Sequence, residues 1–97
     1  MLKVVARQNI LEGKMDEYIE ATKELIDATR KEPGCVEYFL YVSRKNNMGV
    51  FLETWENKDA LKVHGEALAK SPYMAKVLQY VNPDLPKYPI EVYEYAY

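Results

Sequence analysis

The apolar residues of this chain switch repeatedly between a period of two and a period near 3.6, and the order of those switches constrains the fold more than any other feature. Leu2 to Ile10 alternates, with Leu2, Val4, Ala6 and Gln8 on one face and Lys3, Val5, Arg7 and Asn9 on the other, which predicts a strand. Leu11-Glu12-Gly13 is a turn. From Lys14 to Lys31 the spacing of Met15, Tyr18, Ile19, Thr22, Leu25 and Ile26 makes one stripe of an amphipathic helix. Pro33-Gly34 stops it, because proline disfavours helix at the residue before it and glycine supplies a turn. Cys35 to Ser43 alternates again, with Val36, Tyr38, Leu40 and Val42 sharing a face. The RKNNMG connection, Arg44 to Gly49, leads to a third strand, Val50 to Glu56. Asn57 is placed to cap a second helix whose inward stripe is Ala60, Leu61, His64, Gly65 and Leu68. Ser71 caps and Pro72 opens a short third helix, Tyr73 to Val81. Asn82 to Pro89, with three prolines, is an extended connection, and Ile90 to Tyr97 is a last strand.

Strand, helix, strand, strand, helix, strand is the split βαβ or ferredoxin-like pattern, an α+β class with a four-stranded antiparallel sheet. Ninety-seven residues suit one domain, 1–97. Helices on one side leave the other sheet face bare, and a second copy of the chain is the expected cover, giving a homodimer. The chain has nine tyrosines, three of them in its last five residues (Tyr93, Tyr95 and Tyr97). That tail suits an amphipathic strand and an interface alike. A net charge of −2, with its lysines and arginines spread along the chain, argues against a nucleic-acid partner. No apolar run approaches the roughly 20 residues of a membrane span. Met1 opens directly into a strand pattern and Cys35 is the lone cysteine, so a cytoplasmic protein is expected.

The residues with most chemical potential lie in Glu53-Thr54-Trp55-Glu56 and at His64. If Asn46-Asn47 forms a two-residue turn, Val42 pairs with Phe51, Leu40 with Glu53 and Tyr38 with Trp55. Tyr38, Glu53 and Trp55 then share a face. His64 lies on the inward stripe of its helix. It is either a core-boundary histidine satisfied by a backbone carbonyl or by Glu53, or a proton-transfer residue that Glu53 orients. A carboxylate on a half-buried strand face needs a partner, and a buried Trp55 needs an acceptor for its indole N–H. There is no phosphate loop, no dinucleotide glycine fingerprint and no ligand cluster at metal spacing. Cys35 opens a strand with no histidine near it in sequence, which does not suit a nucleophile. Any redox chemistry is therefore expected to run without a cofactor.

Several short segments together resemble the antibiotic biosynthesis monooxygenase family. They are Gly13-Lys14, Glu32-Pro33-Gly34-Cys35 with Tyr38, Glu53-Thr54-Trp55-Glu56 with Ala60-Leu61 and His64, and Ser71-Pro72-Tyr73-Met74, the last similar to quinol-monooxygenase-like members. The resemblance implies a dimeric α+β barrel and oxidation of phenols or quinols by molecular oxygen with no flavin, metal or haem. It also implies a pocket bordered by Tyr38, Trp55 and Tyr73 as substrate-binding residues, with His64 and Glu53 catalytic. Haem-degrading relatives carry a histidine where this chain has Leu78 and an asparagine where it has Ala6, which argues against haem. Arg7 lies on the strand face away from the pocket, which argues against a phosphorylated sugar. A non-catalytic, small-molecule-binding or stress-associated dimer and an isomerase-type enzyme are the alternative readings.

Overall fold

A computed structural model describes residues 1–97. The elements are β1 (Leu2–Asn9), α1 (Met15–Arg30), β2 (Cys35–Ser43), β3 (Met48–Trp55), α2 (Lys58–Ala69), α3 (Pro72–Leu78) and β4 (Glu91–Glu94). They form a four-stranded sheet in the order β2-β3-β1-β4, antiparallel throughout. This is the ferredoxin-like α+β arrangement that the alternation of periods predicts. No helix is long and apolar enough to cross a membrane.

The β2–β3 register differs from expectation by two residues. Ser43 pairs with Met48, Leu40 with Phe51 and Tyr38 with Glu53, so Arg44 to Asn47 is a four-residue connection. Asn47 decides this. Its φ is 53°, its side chain donates to the Ile10 carbonyl at 2.6 Å, and its carbonyl accepts from Ile10 N at 3.0 Å. The left-handed residue therefore closes the loop instead of sitting at its centre. Because side chains alternate with a period of two, a shift of two keeps every residue on its expected face. A bulge at Val36 then lets Cys35 pair with Trp55, and Val36 turns outward, 43% exposed, leaving the face it was expected to share with Tyr38.

Two further boundaries move. β4 ends at Glu94 rather than Tyr97, because Glu94 pairs with Leu2 and β1 offers nothing beyond it. Tyr95 and Tyr97 are fully exposed. α3 ends at Leu78 rather than Val81, since Val81 bridges Ile10 and Tyr80 accepts from Leu11 N at 2.8 Å.

The core lies between the sheet and the helices, around Val4, Tyr18, Leu25, Tyr38, Phe51, Trp55 and Val77. α1 packs on β2 and on α3, whereas α2 approaches the sheet chiefly at β3 and through the His64 ring at Tyr38 of β2. Tyr18 crosses the sheet at Gly49, where a Cβ would come within 2.3 Å of its hydroxyl. Its hydroxyl donates to Gln8 Oε1 at 2.7 Å. The turn into β2 is equally tight. Gly34 has φ 84°, and a Cβ there would lie 2.5 Å from the Ala60 Cβ on α2. Gly13 also has a positive φ, 73°, but nothing lies within 4 Å of its missing Cβ. Gly34→Ala is thus expected to destabilise the domain by about 2 kcal/mol or more, strain and overlap together. Gly13→Ala carries strain alone, about 1 kcal/mol. Urea unfolding of both variants checks this, and equal losses would refute the packing of Gly34 on α2.

Candidate functional site

Where α2 stands off the sheet, a cavity of about 290 Å³ opens. The floor is the inner sheet face, with Val4, Ala6 and Gln8 from β1, Tyr38 from β2, and Phe51 and Glu53 from β3. Arg7, expected to lie away from the pocket, and Lys87 also border it, Arg7 while paired with Glu91. Leu61, His64, Gly65 and Leu68 of α2 form one side, and Met74 and Leu78 of α3 another. The remaining wall is the proline-containing connection, through Leu85, Pro86, Tyr88 and Ile90. That segment is tied to the end of β1: Asn82 N donates to the Asn9 carbonyl at 2.8 Å, and Asn9 Nδ2 donates to the Pro86 carbonyl at 3.2 Å. Local pattern marks the connection only as extended; its apolar residues between prolines are the one sequence signal of a wall.

Tyr38, Glu53 and His64 border this cavity, whereas Trp55, on the same strand face as Tyr38 and Glu53, and Tyr73 do not. Trp55 is fully buried beneath it. Its indole lies 4.5 Å from the His64 ring, centre to centre, and its Nε1 donates to Glu53 Oε1 at 2.9 Å. Tyr73 packs against the core from α3. The Tyr38 ring stands edge-on to His64 at 5.4 Å. Tyr38 and Trp55 are not opposite one another in the sheet, yet their rings meet at 6.5 Å.

The carboxylate on His64 is not the expected one. His64 Nδ1 lies 3.1 and 3.2 Å from the two carboxylate oxygens of Glu32, in the turn before β2. Glu53 is occupied by Trp55. His64 is 3% exposed, and its Nε2 is buried with no partner in the chain. The sequence offered one signal for Glu32, its place in Glu32-Pro33-Gly34, which also reads as a plain helix stop.

Burial raises the Glu53 carboxyl from an ordinary 4.5 to about 7; the Trp55 hydrogen bond lowers it in part, and the charge of Glu32 raises it further. Burial, then Glu53 and Glu32, also push the Tyr38 phenol up. The Cys35 thiol is raised by burial and by the same two carboxylates, with Arg30 opposing. A thiolate is therefore disfavoured there, as its sequence context suggests. The site holds a carboxyl that exchanges a proton near neutral pH, beside an imidazole and a phenol, over an apolar floor.

The sequence profile of the antibiotic biosynthesis monooxygenase family matches residues 1–77. The chain belongs to that family. A crystal structure described as an antibiotic biosynthesis monooxygenase superposes with a TM-score of 0.82 at 26% identity, covering 99% of each chain. Rv0793 from Mycobacterium tuberculosis superposes with a TM-score of 0.74 at 25% identity, over 98% of this chain and 94% of that one. An uncharacterised protein of Synechocystis, sll1783, is 32% identical over 80 residues, 81% of this chain and 51% of the relative. YjcS of Bacillus subtilis is 32% identical over 56 residues, 57% of this chain and 53% of the relative. The chain spans about half the length of these curated relatives. The family match ends at Val77, so the connection that walls the cavity and β4 lie beyond it.

The raised Glu53 carboxyl gives a signed expectation. Between about 4.5 and about 7 the folded chain holds a proton that the unfolded chain has released, so stability falls as pH rises through that window. The loss is up to roughly 3 kcal/mol, from about 1.4 kcal/mol per unit. Glu53→Gln removes this contribution. The stability of the variant minus that of wild type, from urea unfolding, should increase from pH 4.5 to 7.5. Parallel pH curves would show that Glu53 titrates in the fold as it does in water.

Proposed function

We propose that this chain is a cofactor-independent monooxygenase acting on a small aromatic substrate of the phenol or quinol type. The observation that carries the reading is the cavity itself, an apolar space of about 290 Å³ where Glu53, His64 and Tyr38 come together. Its size and lining suit one or two fused aromatic rings with a hydroxyl at the polar end. Removal of a proton from such a substrate gives an electron-rich anion that reduces oxygen directly. For a ring CH2 oxidised to a carbonyl, one oxygen atom enters the product and the other leaves as water with both hydrogens. His64 acts as the base or as a hydrogen-bond donor, and Glu53 exchanges the proton at neutral pH. Tyr38 faces the developing oxyanion. Trp55 serves from beneath, as the support of His64 and the partner of Glu53.

One observation favours a second reading, a non-catalytic binding module. His64 is packed between Trp55 and Tyr38 with Nε2 sealed from solvent, as a core residue would be. Oxygen uptake against a panel of hydroquinones and anthrone-like compounds separates the two. Uptake by wild type that falls 10²–10⁴-fold in His64→Ala, about the range for a lost general base, supports the enzyme. Saturable binding of the same compounds without uptake supports the module.

The functional unit in this reading is a homodimer closed on the outer sheet face. Phe39, Leu52 and Val5 form a row across β2, β3 and β1 on that face, and Tyr41 and Val50 a second. Phe39, Leu52, Tyr41 and Tyr93 are 40–60% exposed in the single chain. A row of this kind is more apolar than a monomer leaves in water. Light scattering should give twice 11.3 kDa at micromolar concentration. Leu52→Lys should shift it towards the monomer with the fold intact, and a wild-type monomer would remove the barrel.

A further inference from the structure

We propose that Glu32 is a positioning residue: its carboxylate accepts the proton of His64 Nδ1, fixing the imidazole as the Nδ1–H tautomer and leaving the buried Nε2 unprotonated. The two contacts are 3.1 and 3.2 Å. A carboxylate can only accept, so the nitrogen facing it is the one that carries the hydrogen. The other nitrogen has no partner in the chain. A neutral histidine in water favours the opposite tautomer, with its hydrogen on Nε2. Glu32 therefore changes which nitrogen offers a lone pair.

The surroundings hold this geometry from both sides. On the Glu32 side, the turn is tied by Glu32 N to the Thr29 carbonyl at 3.0 Å and Cys35 N to the Glu32 carbonyl at 3.2 Å. Glu56 N donates to the Gly34 carbonyl at 2.9 Å. On the His64 side, Trp55 and Tyr38 pack against the ring at 4.5 and 5.4 Å, so it cannot turn over to exchange its nitrogens without disturbing both. Gly34 joins the two sides, because it packs without a Cβ against Ala60, one helical turn before His64 on α2. The length of the Glu32 to His64 contact is set by that approach of turn to helix. The same carboxylate also raises Glu53 through its charge. One part-buried residue at the edge thus acts on His64 by contact and on Glu53 and Tyr38 by charge, and none of these effects requires it to touch a ligand.

This rests on the cavity being the ligand site, as proposed above, but its test needs no ligand. His64 is the only histidine of the chain, so a long-range nitrogen–proton spectrum of ¹⁵N-labelled protein reports this ring alone. Above the pH at which the imidazole loses its charge, wild type should show the proton on Nδ1 and an unprotonated Nε2. In Glu32→Ala, with a dispersed amide spectrum as the fold control, the proton should move to Nε2 in the majority of molecules. A wild-type proton on Nε2, or an Nδ1–H tautomer that survives Glu32→Ala, would overturn the proposal. If Glu32→Ala does not fold, the wild-type spectrum decides by itself. Where a hydroquinone is turned over, Glu32→Ala should lower kcat by about 10²–10⁴-fold, the range for a misplaced general base, with KM nearly unchanged. Absence of turnover by wild type would count against the enzyme and leave the tautomer result standing.

Discussion

Two carboxylates, Glu53 buried in the domain and Glu32 part-buried at its edge, are each held by one ring nitrogen. Glu53 accepts from Trp55 and Glu32 from His64. A buried carboxylate without such a partner costs several kcal/mol, a large part of the stability available to a chain of this size. The rest of the inner face is arranged around that requirement. Trp55 is fully buried because its indole must reach back along β3 to Glu53. The bulge at Val36 lets Cys35 rather than a larger residue lie opposite it. His64 stacks on the same indole, so the two acid–nitrogen pairs share a wall.

The arrangement also separates roles within the domain. α1 packs on β2 and on α3, while α2 approaches the sheet chiefly at β3 and leaves room for the cavity. The closing wall is a segment whose backbone is anchored on the end of β1 and not in the helical layer. Cavity and outer apolar face lie on opposite sides of the same strands. Glu53 and Leu52 are neighbours on β3, one facing the proposed substrate and the other the proposed second copy. A substitution that tilts β3 would be felt on both sides, because a sheet only two side chains thick has little room to absorb it.

The periodicity placed the elements, and its errors are instructive. The β2–β3 connection is two residues longer than the simplest turn, yet Tyr38, Glu53 and Trp55 remain on one face because the error was even. An odd error would have dispersed them. The tail past Glu94 looks like strand by composition, but a strand needs a partner, and β1 begins too late to give one. Glu32 was hidden for another reason. The contact between Glu32 and His64 spans 32 residues in sequence, and only the fit of Gly34 against Ala60 brings them together. Local pattern carries no record of such an approach. Trp55 and Tyr73 illustrate the converse: aromatic residues beside a cavity in sequence terms, but packed behind its wall in space.

Gly65 shows where the local rules give way. It stands in the middle of α2, where glycine costs about 1 kcal/mol relative to alanine. Gly34 and Gly49 have packing reasons, since a Cβ at either would run into Ala60 or Tyr18. Gly65 has none, because a Cβ there would meet nothing within 4 Å. Neither does its φ require glycine, being outside the left-handed region. What distinguishes the position is that it follows His64 and borders the cavity. Any side chain there would add bulk at the rim, next to the ring whose Nε2 is unpartnered. Helix propensity is given up at a place where the open volume, and not the packing, depends on it, and departures of that kind concentrate at functional sites.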